Sequence, residues 1–133
     1  DAELDARGRR KEEIYRELYA PHLAYLPGVR ELLEEAKDRN FPMAVATAGD
    51  RTNIDFTLDG LGARSYFQSL VGGDEVTRGK PDPEVLVGAA NELGIAAGNC
   101  LVFEDSPAGV STHAPWCGPL TEVVPCPSTM RCS

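Results

Sequence analysis

The apolar positions along the chain fall into helical and strand-like stretches that alternate in a regular order. Ile14, Tyr15, Leu18 and Tyr19 recur at helical spacing, so the first two dozen residues are expected to form an amphipathic helix ending near Pro21. Beyond Leu26-Pro27-Gly28, the residues Val29, Leu32, Leu33 and Ala36 predict the buried stripe of a second helix. A third helix is expected from about Arg51 to Leu61, with Ile54, Leu58 and Leu61 on one face, and a fourth from Pro83 to Leu93. In the fourth, Leu86, Ala89, Ala90 and Leu93 turn inward, and Gly94 supplies the stop. Short apolar runs lie between the helices, at Phe41 to Thr47, Tyr66 to Val71 and Cys100 to Glu104. Strand, helix, strand, helix, strand at these lengths predicts an α/β fold built on a doubly wound parallel sheet.

Each run ends in polar groups, and open α/β sheets place their ligands at the carboxyl ends of strands. The third run breaks into Glu104-Asp105 and then Ser106-Pro107-Ala108-Gly109, a pair of adjacent carboxylates suited to a divalent cation such as Mg²⁺. The same residues also read as an ordinary helix start, with Asp105 or Ser106 as cap and Pro107 at the first helical position. The first run ends in Thr47-Ala48-Gly49-Asp50, which offers a hydroxyl and closely approachable backbone N–H groups at the mouth of a helix. The second ends in Gly72-Gly73-Asp74, followed by Gly79-Lys80-Pro81-Asp82-Pro83, where Lys80 is fixed between a glycine and a proline. Singly, these are a turn threonine and a surface lysine. In order, they supply a neutral donor, a fixed cation and a metal cradle, the parts that neutralise a transferring phosphoryl group.

The ordered set resembles the haloacid dehalogenase-like hydrolases, and within them the β-phosphoglucomutase-like phosphatases and phosphomutases. The resemblance is carried by Leu26-Pro27-Gly28-Val29, Ala44-Val45-Ala46-Thr47-Ala48, Gly72 to Val76, Gly79 to Pro83, and Cys100 through Val110. It implies that Thr47 is a phosphate-binding hydroxyl, with Ala48 beside it in the same loop, and that Lys80 steadies the phosphoryl oxygens and the nucleophile. It makes Glu104 and Asp105 the ligands of Mg²⁺, and gives Asn53 a role near substrate. Lys11, in the basic run Arg9-Arg10-Lys11, falls near a cap-domain cation that contacts the far end of the substrate, although such a run on a helix also reads as its solvated face.

Members of that family open with a strand ending in Asp-x-Asp-Gly, whose aspartates act as nucleophile and as general acid and base. No such motif occurs in these 133 residues. The expectation is therefore a cap remnant at residues 1–25, an α/β core at 26–110 that lacks its central, nucleophile-bearing strand, and a chain that binds phosphate without turning it over. The missing strand would lie between the Phe41 and Cys100 runs, leaving unpaired edges unless those two close up or another chain fills the gap. The alternative is a non-catalytic domain of the same fold that binds phosphate or a protein partner.

Residues 111–133 depart from the family pattern. Pro115, Pro119, Pro125 and Pro127 forbid a helix of ordinary length, and Leu120 to Val124 is the one strand candidate. Three of the four cysteines, Cys117, Cys126 and Cys132, lie here near His113, but without the paired C-x-x-C unit of a zinc site. The reading is that this tail is foreign to the family. Cys100, at the start of a core strand, is expected to be buried and inert.

Composition narrows the class further. Hydrophobic content of 42% and charged content of 26% are those of a globular domain, and the chain has no apolar run of membrane-spanning length. A net charge of −8 argues against a nucleic-acid partner. The expected partner is a small phosphorylated metabolite captured by local groups, in a cytoplasmic setting.

Overall fold

The computed structural model describes residues 2–104 together with residues 124–125. Asp105, the Ser106-Pro107 start, and the candidate zinc ligands His113, Cys117, Cys126 and Cys132 lie outside the described residues. In chain order the regular elements are α1 (Ala2–Tyr19), α2 (Val29–Asp38), β1 (Ala44–Ala46), α3 (Arg51–Leu61), β2 (Ser69–Val71), α4 (Glu84–Glu92), β3 (Phe103–Glu104) and β4 (Val124–Pro125).

The centre is a parallel pair, β1 on β2, in the register Ala44 to Ser69, Val45 to Leu70 and Ala46 to Val71. Side chains alternate across such a ladder, and the packing follows that alternation. Val45 and Leu70 pack against the cluster built on Ile54 and Leu58 of α3, whereas Ala44, Ala46 and Val71 pack with Val85 and Ala89 of α4. One helix therefore covers each face, which is the doubly wound arrangement expected. On the α4 face, the buried Ser69 hydroxyl donates to the Glu92 carboxylate at 2.5 Å. That bond satisfies a polar group in an otherwise apolar layer.

Helix bounds follow their local signals. Asp50 caps α3 by accepting the Asn53 N–H at 2.9 Å, and Gly62, at φ 64°, ends it in the left-handed region, where glycine carries no Cβ penalty. Helix α1 stops where Pro21 enters a 3-10 turn over Ala20–His22. Helix α4 matches its expected span, with Leu86 and Leu93 half-buried beside the buried Val85, Ala89 and Ala90.

Several expectations are corrected. The first two strands are shorter than their apolar runs. Asn40, at φ 58°, still belongs to the end of α2, Phe41 donates its N–H back to Ala36, and Pro42 has no N–H to give a ladder. Arg64–Tyr66 form a 3-10 turn, so regular pairing starts only at Ser69, after one irregular bond from the Gln68 N–H to the Met43 carbonyl. The stripe on α2 is not buried: Val29, Leu33 and Ala36 are half-buried and Leu32 is exposed. Its surroundings are polar-tipped, with the Arg30 guanidinium over the Tyr25 ring at 5.1 Å and the Lys37 amine over the Tyr66 ring at 5.5 Å.

The third run departs most. Leu101 and Phe103 are exposed, Phe103 by 56%, and Cys100 is half-buried at the end of a 3-10 turn, with its thiol on the Ala96 carbonyl at 3.6 Å. The strand is therefore neither long nor buried. The reason lies in its pairing: β3 does not join β1, and instead runs parallel to β4 with Phe103 opposite Val124 and Glu104 opposite Pro125. The expected single sheet is thus two separate parallel pairs among the described residues, and the β1 and β3 strands have not closed up on each other. Of the expected strand Leu120 to Val124, only Val124 lies among the described residues, and it belongs to β4.

Candidate phosphate-binding site

Two turns leave the carboxyl ends of β1 and β2 and interlock. The Thr47 N–H donates to the Val71 carbonyl at 3.1 Å, extending the ladder by one bond, and the Gly73 N–H donates to the Gly49 carbonyl at 2.8 Å. Glycine is required at Gly73, because a Cβ there would lie 2.3 Å from the Ala48 carbonyl oxygen, a backbone atom that cannot swing aside. Ala48 therefore belongs to this interlocked wall through its backbone.

Thr47 and Asn53 stand on either side of Gly49, where a Cβ would come within 3.5 Å of the Thr47 hydroxyl oxygen and 3.8 Å of the Asn53 Cβ. The Thr47 hydroxyl accepts the Gly49 N–H at 3.1 Å. That bond uses a lone pair and leaves the hydroxyl proton available for donation toward an anion. It also corrects one expectation: the N–H groups of Gly49 and Asn53 are already engaged, by Thr47 and by Asp50, so they are not open donors for phosphate.

Asn53 is held from the other side by α1. Its amide NH₂ donates to Glu12 at 2.8 Å, and its amide oxygen accepts from the Arg16 guanidinium at 2.8 Å. The hydrogen bond from Asn53, aided by Lys11, holds the Glu12 carboxyl below its ordinary range. Lys11 itself is 78% exposed and pairs with the neighbouring Glu12 at 3.0 Å. The structure thus brings Asn53 together with Glu12 and Arg16, two residues the sequence reading did not select. Nothing local marked them, since Glu12 and Arg16 lie 41 and 37 residues from Asn53 in sequence.

Lys80 and Glu104 meet. The Lys80 amine is hydrogen-bonded and ion-paired to the Glu104 carboxylate, with only 14% and 9% of the two side chains exposed. The turn that carries Lys80 is closed by Glu84, the first residue of α4. One Glu84 oxygen accepts the Thr77 N–H at 2.9 Å and the Thr77 hydroxyl at 3.0 Å, and the other accepts the Arg78 N–H at 2.9 Å. These bonds, led by the one from the Thr77 backbone, hold the Glu84 carboxyl below its ordinary value. Sequence reasoning missed Glu84, although an acid in the first turn of a helix just after Asp-Pro is a recognisable signal.

The metal expectation can be tested only on Glu104. A carboxylate oxygen is a suitable hard donor for Mg²⁺. Asp105, its intended partner, lies outside the described residues, and no group of three or more potential metal ligands occurs among those that are described. No helix among them is long and apolar enough to cross a membrane.

With this geometry in view, comparison with known proteins is decisive. The family model for haloacid dehalogenase-like hydrolases matches residues 2–113. The chain belongs to the haloacid dehalogenase-like hydrolases. It is 34% identical over 116 residues to protein CbbY of Rhodobacter capsulatus, covering 84% of this chain and 51% of that protein. It is 35% identical over 102 residues to a phosphorylated carbohydrates phosphatase of Thermotoga maritima, covering 77% of this chain and 47% of that one. The crystal structure of a β-phosphoglucomutase from Clostridium difficile superposes with a TM-score of 0.72 at 25% identity, over 80% of this chain and 48% of that one. Within the haloacid dehalogenase-like family the chain falls in the phosphoglucomutase-like group, and it spans about half the length of the curated relatives it matches.

Proposed function

We propose that this chain carries the phosphate-holding half of a Mg²⁺-dependent phosphatase or phosphomutase acting on a small phosphomonoester in the cytoplasm. The observation that carries this reading is the meeting of Lys80 with Glu104, a cation delivered by one strand-end turn onto an acid at the end of another strand. Thr47 donates its hydroxyl proton to a phosphoryl oxygen, Lys80 neutralises the developing charge, and Glu104 with Asp105 would hold Mg²⁺, which when bound polarises the phosphoryl group. Asn53 and Ala48 line the phosphate loop, and Lys11 approaches the far end of the substrate from the cap. We read residues 1–25 as part of that helical cap, 26–110 as the core and 111–133 as a tail foreign to the family.

Hydrolysis also needs a carboxylate nucleophile and a proton donor for the leaving oxygen. The Asp-x-Asp-Gly motif that supplies both is absent from these 133 residues. The reading therefore separates binding from turnover. Calorimetric titration with inorganic phosphate and Mg²⁺ is expected to show binding that Lys80→Ala weakens strongly but leaves measurable, while p-nitrophenyl phosphate is not hydrolysed. Phosphate binding indifferent to Lys80→Ala would overturn the assignment of the site, and hydrolysis abolished by Lys80→Ala would overturn the claim that the nucleophile is missing.

A further inference from the structure

We infer that Glu84 is the positioning residue for Lys80, fixing where its amine can reach by closing the turn that carries it. This rests on the phosphate-binding reading above. Lys80 reaches Glu104 through four flexible methylenes, and its preceding neighbour Gly79 has open space where a side chain would be, so the position of the amine depends on how the backbone of the turn is held. The rigidity of the turn comes from its ends. Glu84 opens α4, whose Val85 and Ala89 are buried against the β1–β2 pair, and its carboxylate reaches back to hold the Thr77 N–H, the Thr77 hydroxyl and the Arg78 N–H.

Inside this closure the turn is braced again. The Asp82 N–H donates to the Gly79 carbonyl at 3.0 Å, and the Asp82 side chain accepts the Glu84 N–H at 3.0 Å and pairs with Arg78 at 3.2 Å. Both oxygens of Glu84 are used, so a glutamine of the same shape cannot replace it. It has one acceptor oxygen and an NH₂ that would face either the Thr77 or the Arg78 N–H, leaving one backbone donor unpaired.

The test is a double-mutant cycle read by calorimetric titration with inorganic phosphate and Mg²⁺. Glu84→Gln is expected to weaken phosphate binding about tenfold, the scale of one charge-assisted hydrogen bond. The double variant Glu84→Gln with Lys80→Ala is expected to bind no more weakly than Lys80→Ala alone. A general structural role would not be silenced by removing Lys80, so equal weakening in both backgrounds overturns the inference. Wild-type affinity in Glu84→Gln also overturns it, whereas affinity unchanged by Lys80→Ala sinks the phosphate reading itself. Should Glu84→Gln lose its thermal unfolding transition, Thr77→Val carries the same cycle. It removes only the hydroxyl bond, and its loss of affinity must again disappear in the Lys80→Ala background.

Discussion

The amine of Lys80 rests on the carboxylate of Glu104, 24 residues further along the chain, in a place where water reaches little of either side chain. Desolvating two charges is tolerable only while they face each other. Glu104→Ala is therefore expected to destabilise the chain by about 2–3 kcal/mol in urea unfolding, somewhat below the range for fully buried pairs. The double change Lys80→Met with Glu104→Leu should recover most of that loss. A Glu104→Ala protein with unchanged stability would mean that the pair is not coupled.

Asn53 ties α1 to α3, with Glu12 on its NH₂ and Arg16 on its oxygen. Asn53→Ala should cost about 1–2 kcal/mol through two part-buried bonds to charged groups. More specifically, amide exchange in α1 should quicken while that in α4 does not. The Glu12 carboxyl, whose lowered titration owes most to Asn53, should move back toward its ordinary value of 4.5, as followed by NMR. An unmoved Glu12 would contradict the contact.

Gly73→Ala places a methyl group against the Ala48 backbone, with 2.3 Å to its oxygen and 2.8 Å to its carbon. Because neither turn can yield without breaking the bond from Gly73 to Gly49, the expected loss is about 2 kcal/mol or more. A crystal structure or the Thr47 amide shift should show the Thr47 turn displaced. Full stability with an unshifted Thr47 amide would show that the turns are not interlocked.

Acid should open the Lys80 turn. The Glu84 carboxyl is held below its ordinary value of 4.5 by the hydrogen bonds it accepts, so its contribution to stability is complete above that pH. It is lost as pH falls through the lowered folded value. Stability measured from pH 6 downward should therefore decline less steeply in Glu84→Gln than in the wild type below about pH 4.5. Parallel slopes would rule out this source of acid sensitivity.

The helices were legible because their signals are local. Asp50 and Gly62 mark both ends of α3 at its expected bounds, and Pro83 and Gly94 bracket α4. The strands were legible in kind but not in length, since Pro42 and the 3-10 turn at Arg64–Tyr66 cut into apolar runs that hydrophobicity alone would continue. The exposure of Phe103 could not be read from its neighbours, because burial depends on which strand sits alongside, and β3 pairs with β4 instead of β1. In the site, the Lys80 and Glu104 types were apparent from motif order. The partners that hold Asn53 were not, because tertiary contacts between α1 and α3 leave no mark on either segment.

The β1–β2 ladder acts as a party wall between two independently packed rooms. Val45 and Leu70 belong to the room of Ile54 and Leu58, and Ala44, Ala46 and Val71 to that of Val85 and Ala89. The turn bearing Thr47, which opens α3, and the turn bearing Lys80, which opens α4, thus back onto different apolar clusters and are joined at the strand ends by the bond from Gly73 to Gly49. Variation within one room would then be felt in the other chiefly through that single seam at Gly73 and Gly49.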